Sequence, residues 1–158
     1  MSAVRIYFIM KALVQRVTKA SVTVEHTERR ETGRGFVVLL GVSPDDTEGD
    51  ALWLADKTAK LRVFPNEEGK FDKSLLDIKG DALVISQFTL YADARKGCRP
   101  DFTAAARPEA AIKLYECYVR ALGGLAVPVK TGEFGAHMDV EIFNDGPVTI
   151  MLERTNGK

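Results

Sequence analysis

Cysteine and histidine are scarce. The 158 residues contain two of each, Cys98 and Cys117, and His26 and His137. Two cysteines cannot form a disulfide framework. There is no Cys-x-x-Cys pair and no His/Cys cluster at metal-ligand spacing. Reduced thiols, a cytoplasmic location and no metal or other cofactor are therefore expected. Net charge is lacking too: 22 Lys and Arg face 22 Asp and Glu. A protein that grips a long nucleic acid by its phosphates carries a basic surplus. This balance speaks against such a broad grip but leaves room for recognition of one small end of an RNA. No apolar run reaches the roughly 18 residues needed to cross a bilayer, so no membrane partner is expected. The familiar catalytic signatures are missing as well: no Gly-x-Ser-x-Gly, no Walker A loop, no Gly-x-Gly-x-x-Gly after a strand and no His-Glu-x-x-His.

What is present is enough apolar residue, 46%, to bury one core. Residues 1–9 are apolar but lack a basic leader and a small-residue cleavage site. They read as a lead-in outside a core domain of residues 10–158, because Met10 opens a cleaner pattern. Segments 11–17 and 20–25 read as two strands, the second alternating through Val22 and Val24. The continuous apolar run 36–42 suits a strand buried on both faces. Ser43-Pro44-Asp45-Asp46-Thr47 offers turn and cap chemistry before an amphipathic helix at about 47–62. Residues 64–72 read as a loop and 82–91 as a strong strand. Pro108 opens a second helix, about 108–122, which Gly123-Gly124 stops. Strands follow at 125–130, 137–143 and 148–153, the last two joined by a turn at Asn144-Asp145-Gly146-Pro147. The class is α+β: one domain of mostly antiparallel, barrel-like sheet with two main helices.

Neither histidine has an assigned partner. Cys98, beside Lys96 and Arg99, has the basic neighbours that favour a thiolate, but no His partner can be named for it. Two other segments are unusual for where they fall. Ser86-Gln87-Phe88-Thr89 places three polar residues at the end of an apolar strand, which suits either a satisfied core network or a ligand pocket. Asn144-Asp145-Gly146-Pro147 is either a plain hairpin turn or a rigid pair of carbonyls, since X-Pro bonds tolerate cis and Gly takes backbone angles closed to other residues.

Together, Ser86-Gln87-Phe88-Thr89-Leu90 and Asn144-Asp145-Gly146-Pro147-Val148-Thr149 resemble the motif pair of the D-aminoacyl-tRNA deacylases. The resemblance extends to Met10-Lys11-Ala12-Leu13-Val14-Gln15-Arg16-Val17, Ala20-Ser21-Val22-Thr23-Val24, Val38-Leu39-Leu40-Gly41-Val42, Tyr91-Ala92-Asp93-Ala94-Arg95-Lys96-Gly97 and Thr131-Gly132-Glu133-Phe134-Gly135-Ala136. It covers nearly all of residues 10–153. Residues 1–9 and the charged hairpin at 26–32 depart from it. It implies a homodimer that hydrolyses the ester between a D-amino acid, or mischarged glycine, and the terminal adenosine of tRNA. It also implies a catalytic wall of Ser86, Gln87, Phe88 and Thr89 facing Gly146 and cis-Pro147 of the partner subunit. Arg16 and Met138 would hold that turn, with Asn144 in the same motif. Arg95, Lys96 and Arg99 form the one basic cluster near the wall, a candidate contact to the tRNA acceptor end.

Such an ester is already activated. A positioned water and an oxyanion hole from the Phe88 and Thr89 N–H groups would serve, with the ribose 2′-hydroxyl orienting the water. Thr89 as a covalent nucleophile competes with this, although no base can be named for it. Three other readings stay open: an L-alanyl-selective deacylase with a trans Gly-Pro, a non-catalytic tRNA-binding module, and a structural dimerisation domain.

Overall fold

A computed structural model describes residues 9–154. The expectation for residues 1–9 therefore lies, for residues 1–8, outside the described residues. Eight strands and two helices follow one another as β1 (Met10–Val24), β2 (Glu28–Thr32), β3 (Gly35–Gly41), α1 (Glu48–Lys60), β4 (Phe64–Pro65), β5 (Phe71–Lys73), β6 (Asp81–Ser86), α2 (Pro108–Gly124), β7 (Val129–Thr131) and β8 (Met138–Arg154). A 3-10 turn at Phe88–Tyr91 follows β6. The main sheet runs β2-β1-β3-β6-β7, and β8 lies along β1. β1 is antiparallel to β2, β3 and β8, whereas β3-β6 and β6-β7 are parallel. The α+β class with two main helices and a mostly antiparallel, nearly closed sheet is as expected. Arg30 helps close it: its Nη1 donates from β2 to the carbonyls of Thr131 and Gly132, at 2.7 and 3.0 Å.

Two apolar clusters fill the fold. One lies between sheet and helices and contains Val14, Phe36, Val38, Leu54, Tyr118 and Leu122. The other, on the opposite sheet face, contains Val17, Val22, Val37, Leu83 and Ile85. Successive β3 residues Phe36, Val37 and Val38 alternate between the two, which is why this run has no polar side. The helices are tied to each other and to the sheet by buried hydroxyls. Tyr118 donates to Thr58 Oγ1 at 2.7 Å, and Thr58 donates back to the Leu54 carbonyl at 2.7 Å. Tyr115 donates to the Val84 carbonyl at 2.7 Å, and burial pushes its phenol up to about 12, keeping the donor protonated.

Five local expectations change. The strand expected at 125–130 shrinks to β7, because α2 runs on through Gly123 and Gly124 and a turn follows, with the Leu125 and Ala126 N–H groups donating to the Leu122 and Gly123 carbonyls. Segments 11–17 and 20–25 are one strand, because exposed Thr18 and Lys19 sit in a bulge rather than a break. Residues 64–72 are not wholly loop: β4 and β5 make a small antiparallel hairpin. The strand expected at 82–91 ends at Ser86, and the chain turns after Gln87 donates its N–H to the Leu40 carbonyl at 2.8 Å. There the Tyr91 ring lies over Gly41, where a Cβ would strike it. The strands expected at 137–143 and 148–153 are a single β8, so Asn144-Asp145-Gly146-Pro147 is no hairpin turn. Gln15 pairs with Thr149 and Val17 with Asn144, so extra β8 residues loop out of the ladder as a bulge.

α1 begins where expected, with a capping box. Thr47 Oγ1 accepts from the Asp50 N–H at 3.3 Å, and Asp50 accepts from the Thr47 N–H at 2.9 Å. Thr47→Ala should cost about 1 kcal/mol in chemical denaturation, and Thr47 does not line the cavity described below. Among the described residues, no helix is long and apolar enough to cross a membrane.

Candidate functional site

The end of β6, the turn after it, the 102–108 segment and residues 134–140 enclose a cavity of about 660 Å³. Ser86, Gln87 and Phe88 line one side, Phe134 to Met138 with Val140 another, and Phe102 with Ala105 to Pro108 a third. The Phe88 ring is 57% exposed and meets Phe102 edge-on, with centroids 5.1 Å apart. That size suits a nucleoside-scale ligand, and the lining is mostly apolar with a few convergent polar groups.

Of the expected wall, Ser86, Gln87 and Phe88 line this cavity, and Thr89 follows in the exposed turn. The Gln87 amide Nε2 donates to Thr89 Oγ1. No carboxylate, histidine or lysine hydrogen-bonds the Thr89 hydroxyl among the described residues. Phe88 and Thr89 open the 3-10 turn, where the first N–H groups have no partner within the turn.

The second motif sits elsewhere in the chain. Gly146 and Pro147 do not line the cavity; they form the β8 bulge, and their peptide bond is cis. Arg16 supports this bulge from β1. Its Nε donates to the Asp145 carbonyl at 3.1 Å and lies 3.3 Å from Asp145 Oδ2. Its Nη1 donates to the Val63 carbonyl at 2.7 Å, and the guanidinium stands 5.6 Å from the Phe71 ring centroid. Asn144 clips the base of the bulge, accepting from the Val148 N–H at 3.1 Å and donating to Thr149 Oγ1 at 3.0 Å. Gly146 has φ +126, and a Cβ there would press on Val148 and Arg16. The position therefore favours glycine.

Met138 is not beside its own chain's bulge. It lines the cavity, and its sulfur packs against Gly132 and lies 3.4 Å from the Glu133 N–H. The basic cluster is also divided. Arg95 is held by Asp93 through Nε and Nη2 at 2.9 and 2.8 Å, and those hydrogen bonds pull the Asp93 carboxyl down to about 2. Arg95 faces a separate hollow with Ile9, Lys11 and Tyr91. Lys96 and Arg99 are exposed. Sequence reasoning missed the 102–108 wall, including Arg107. Its one visible signal was Pro108 at a helix start, which says nothing of a pocket. His137 lines the cavity, and its ring lies 5.0 Å from that of His26. Cys98 is exposed and Cys117 buried.

Comparison with known proteins matches residues 13–153 to the family described as D-Tyr-tRNA(Tyr) deacylase. Proteins named D-aminoacyl-tRNA deacylase from Roseiflexus castenholzii and Bacillus pumilus are each 54% identical over 144 residues. These alignments cover 91% of this chain and 92% and 98% of theirs. A solved structure named c-Myc DNA Unwinding Element Binding Protein is 45% identical. It superposes with a TM-score of 0.84 over 91% of this chain and 98% of that one. A more distant solved structure, 16% identical with a TM-score of 0.80, shares the fold.

Proposed function

The chain belongs to the D-Tyr-tRNA(Tyr) deacylase family and is a hydrolase of D-aminoacyl-tRNA; we propose that it works through a site shared between two copies, with backbone groups and the substrate's own 2′-hydroxyl doing most of the chemistry. The observation that carries this reading is the cavity wall of Ser86, Gln87 and Phe88, beside which no base among the described residues hydrogen-bonds Thr89. The ester carbonyl lies against the Phe88 and Thr89 N–H groups, which receive the oxyanion as water attacks. The neighbouring ribose hydroxyl orients that water. Water adds to the carbonyl, the C–O3′ bond breaks, the proton lost by the water passes to the departing O3′, and the products are the free amino acid and tRNA.

Chirality enters through Gly146 and Pro147 of a second copy. Their carbonyls hold the substrate's α-amino group, so an L side chain would run into the bulge and a D side chain would point away. Selection by exclusion needs no pocket for the side chain, and glycine is admitted. A shared site is supported by the separation of the two motifs within one chain. It is also supported by β8, which pairs only with β1 among the described residues and exposes Phe143 and Met151. Met138, in the wall, is then placed to meet the partner's bulge, while Arg16 holds it from within.

The test is hydrolysis of matched D- and L-aminoacyl-tRNA. The D ester and glycyl-tRNA should be cleaved, with the L ester slower by at least about a hundred-fold. Preferred cleavage of L-alanyl-tRNA would replace the reading with an L-selective one, and binding without ester loss would reduce it to a tRNA-binding module. Sedimentation should give twice the chain mass, and a stable, active monomer would overturn the shared site.

A further inference from the structure

Among the described residues only two ionisable side chains line the cavity, Arg107 and His137, and no carboxylate does. Most arginines elsewhere are committed: Arg16, Arg29, Arg30, Arg62, Arg95 and Arg154 each lie against a carboxylate. Arg107 is exposed and, among the described residues, has no carboxylate within the 4.0 Å of an ion pair. Its backbone is nevertheless fixed. The Ala106 N–H donates to the Val42 carbonyl at 2.9 Å, and the Arg107 carbonyl accepts from Ala110 and Ala111 at 3.1 and 2.9 Å. The backbone that carries this permanent cation is thus fixed at the cavity wall, and no carboxylate among the described residues neutralises the guanidinium.

A nucleoside can enter a largely apolar cavity, but the phosphate attached to it cannot be desolvated there without a counter-charge. The phosphate must stay where a cation meets it, and a guanidinium suits it by offering two parallel donors. Arg95 is unsuited, being held by Asp93 and facing another hollow. We propose that Arg107 binds the phosphodiester joining the terminal adenosine to the rest of the tRNA, and so positions the ester against residues 86–89. This deepens the hydrolase reading above and rests on it.

The experiment compares wild type, Arg107→Gln and Arg107→Lys on two substrates: D-aminoacyl-tRNA, and the D-aminoacyl ester of adenosine, which has no phosphate. Arg107→Gln should lower kcat/KM on the tRNA about ten-fold, mainly through KM. Its loss on the nucleoside ester should stay below about two-fold. Arg107→Lys should recover part of the tRNA loss. The slope of log kcat/KM against log salt should flatten by about 0.7 in Arg107→Gln, the value for one phosphate contact on a single strand. Equal losses on both substrates would make Arg107 merely structural, and an unchanged tRNA rate or salt slope would remove it from phosphate binding; either overturns the proposal. Wild type inert to both substrates would instead bring down the hydrolase reading, and the proposal with it.

Discussion

D-aminoacyl-tRNA ending in 2′-deoxyadenosine, charged on its 3′-oxygen, should be hydrolysed at least about a hundred-fold more slowly than the ribose form, while Thr89→Ala should lose about ten-fold or less. The contrast follows from what surrounds Thr89. Its hydroxyl accepts from the Gln87 amide, and an amide cannot remove a proton. A Thr hydroxyl with no base is a weak nucleophile. The oxyanion donors assigned above are main-chain N–H groups, which survive substitution to Ala. Loss of one such donor typically costs about a hundred- to a thousand-fold, so an intact pair keeps most of the rate in Thr89→Ala. Single-turnover hydrolysis of the two substrates by wild type and variant measures both effects. A dead Thr89→Ala with a normal deoxy rate, or an acyl group trapped on Thr89, would make the mechanism covalent.

Arg16→Ala should be the most damaging single substitution outside the cavity. Arg16 is buried to 8% exposure and serves the carbonyls of Asp145 and Val63 together with the Asp145 carboxylate. Truncation strands two acceptors and one partly exposed acid. Unmade buried hydrogen bonds cost about 1–3 kcal/mol each, and the exposure of Asp145 reduces its share. A loss of about 2–3 kcal/mol follows, or about 5–10 °C in Tm for a domain of this size. Activity should fall further than stability, by about a hundred-fold at a temperature where the variant is folded, because the bulge carrying Gly146 and Pro147 loses its brace. Arg16→Lys should restore only part of either, since one ammonium cannot replace the separate Nε and Nη1 donors to the two carbonyls. Melting curves and D-aminoacyl-tRNA hydrolysis on the same preparations separate the two effects.

The long elements were legible because their periodicity is strong. Phe36 to Leu40 has no polar side, and both faces are buried. Ala51, Leu54, Ala55 and Thr58 recur at helical spacing and are buried together. What failed was punctuation. Thr18-Lys19 and Asn144-Asp145-Gly146-Pro147 look like ends of strands, and locally each does interrupt an alternation. Only the partner strand shows that the ladder resumes beyond them, and pairing between residues more than a hundred positions apart leaves no local mark. The end of β6 failed for a similar reason. Phe88-Thr89-Leu90-Tyr91 has strand propensity, but β3 stops at Gly41 and leaves nothing to pair with. At the cavity, Ser86, Gln87 and Phe88 stand out in the sequence as part of a polar end to an apolar strand. The remaining wall does not, because Ala105, Ala106 and Arg107 carry no chemistry until the fold brings them beside Ser86.

β1 and β8 run side by side through both apolar clusters, with Val14 and Leu152 on one and Val22 and Val140 on the other. The two clusters therefore share a pair of common girders and have no seam between them. The Gly146–Pro147 bulge sits where this pair of strands passes from one cluster to the other. Substitutions that reshape the bulge are thereby felt on both sides of the scaffold. The 102–108 wall of the cavity belongs to neither girder, so its residues can vary without disturbing that ladder.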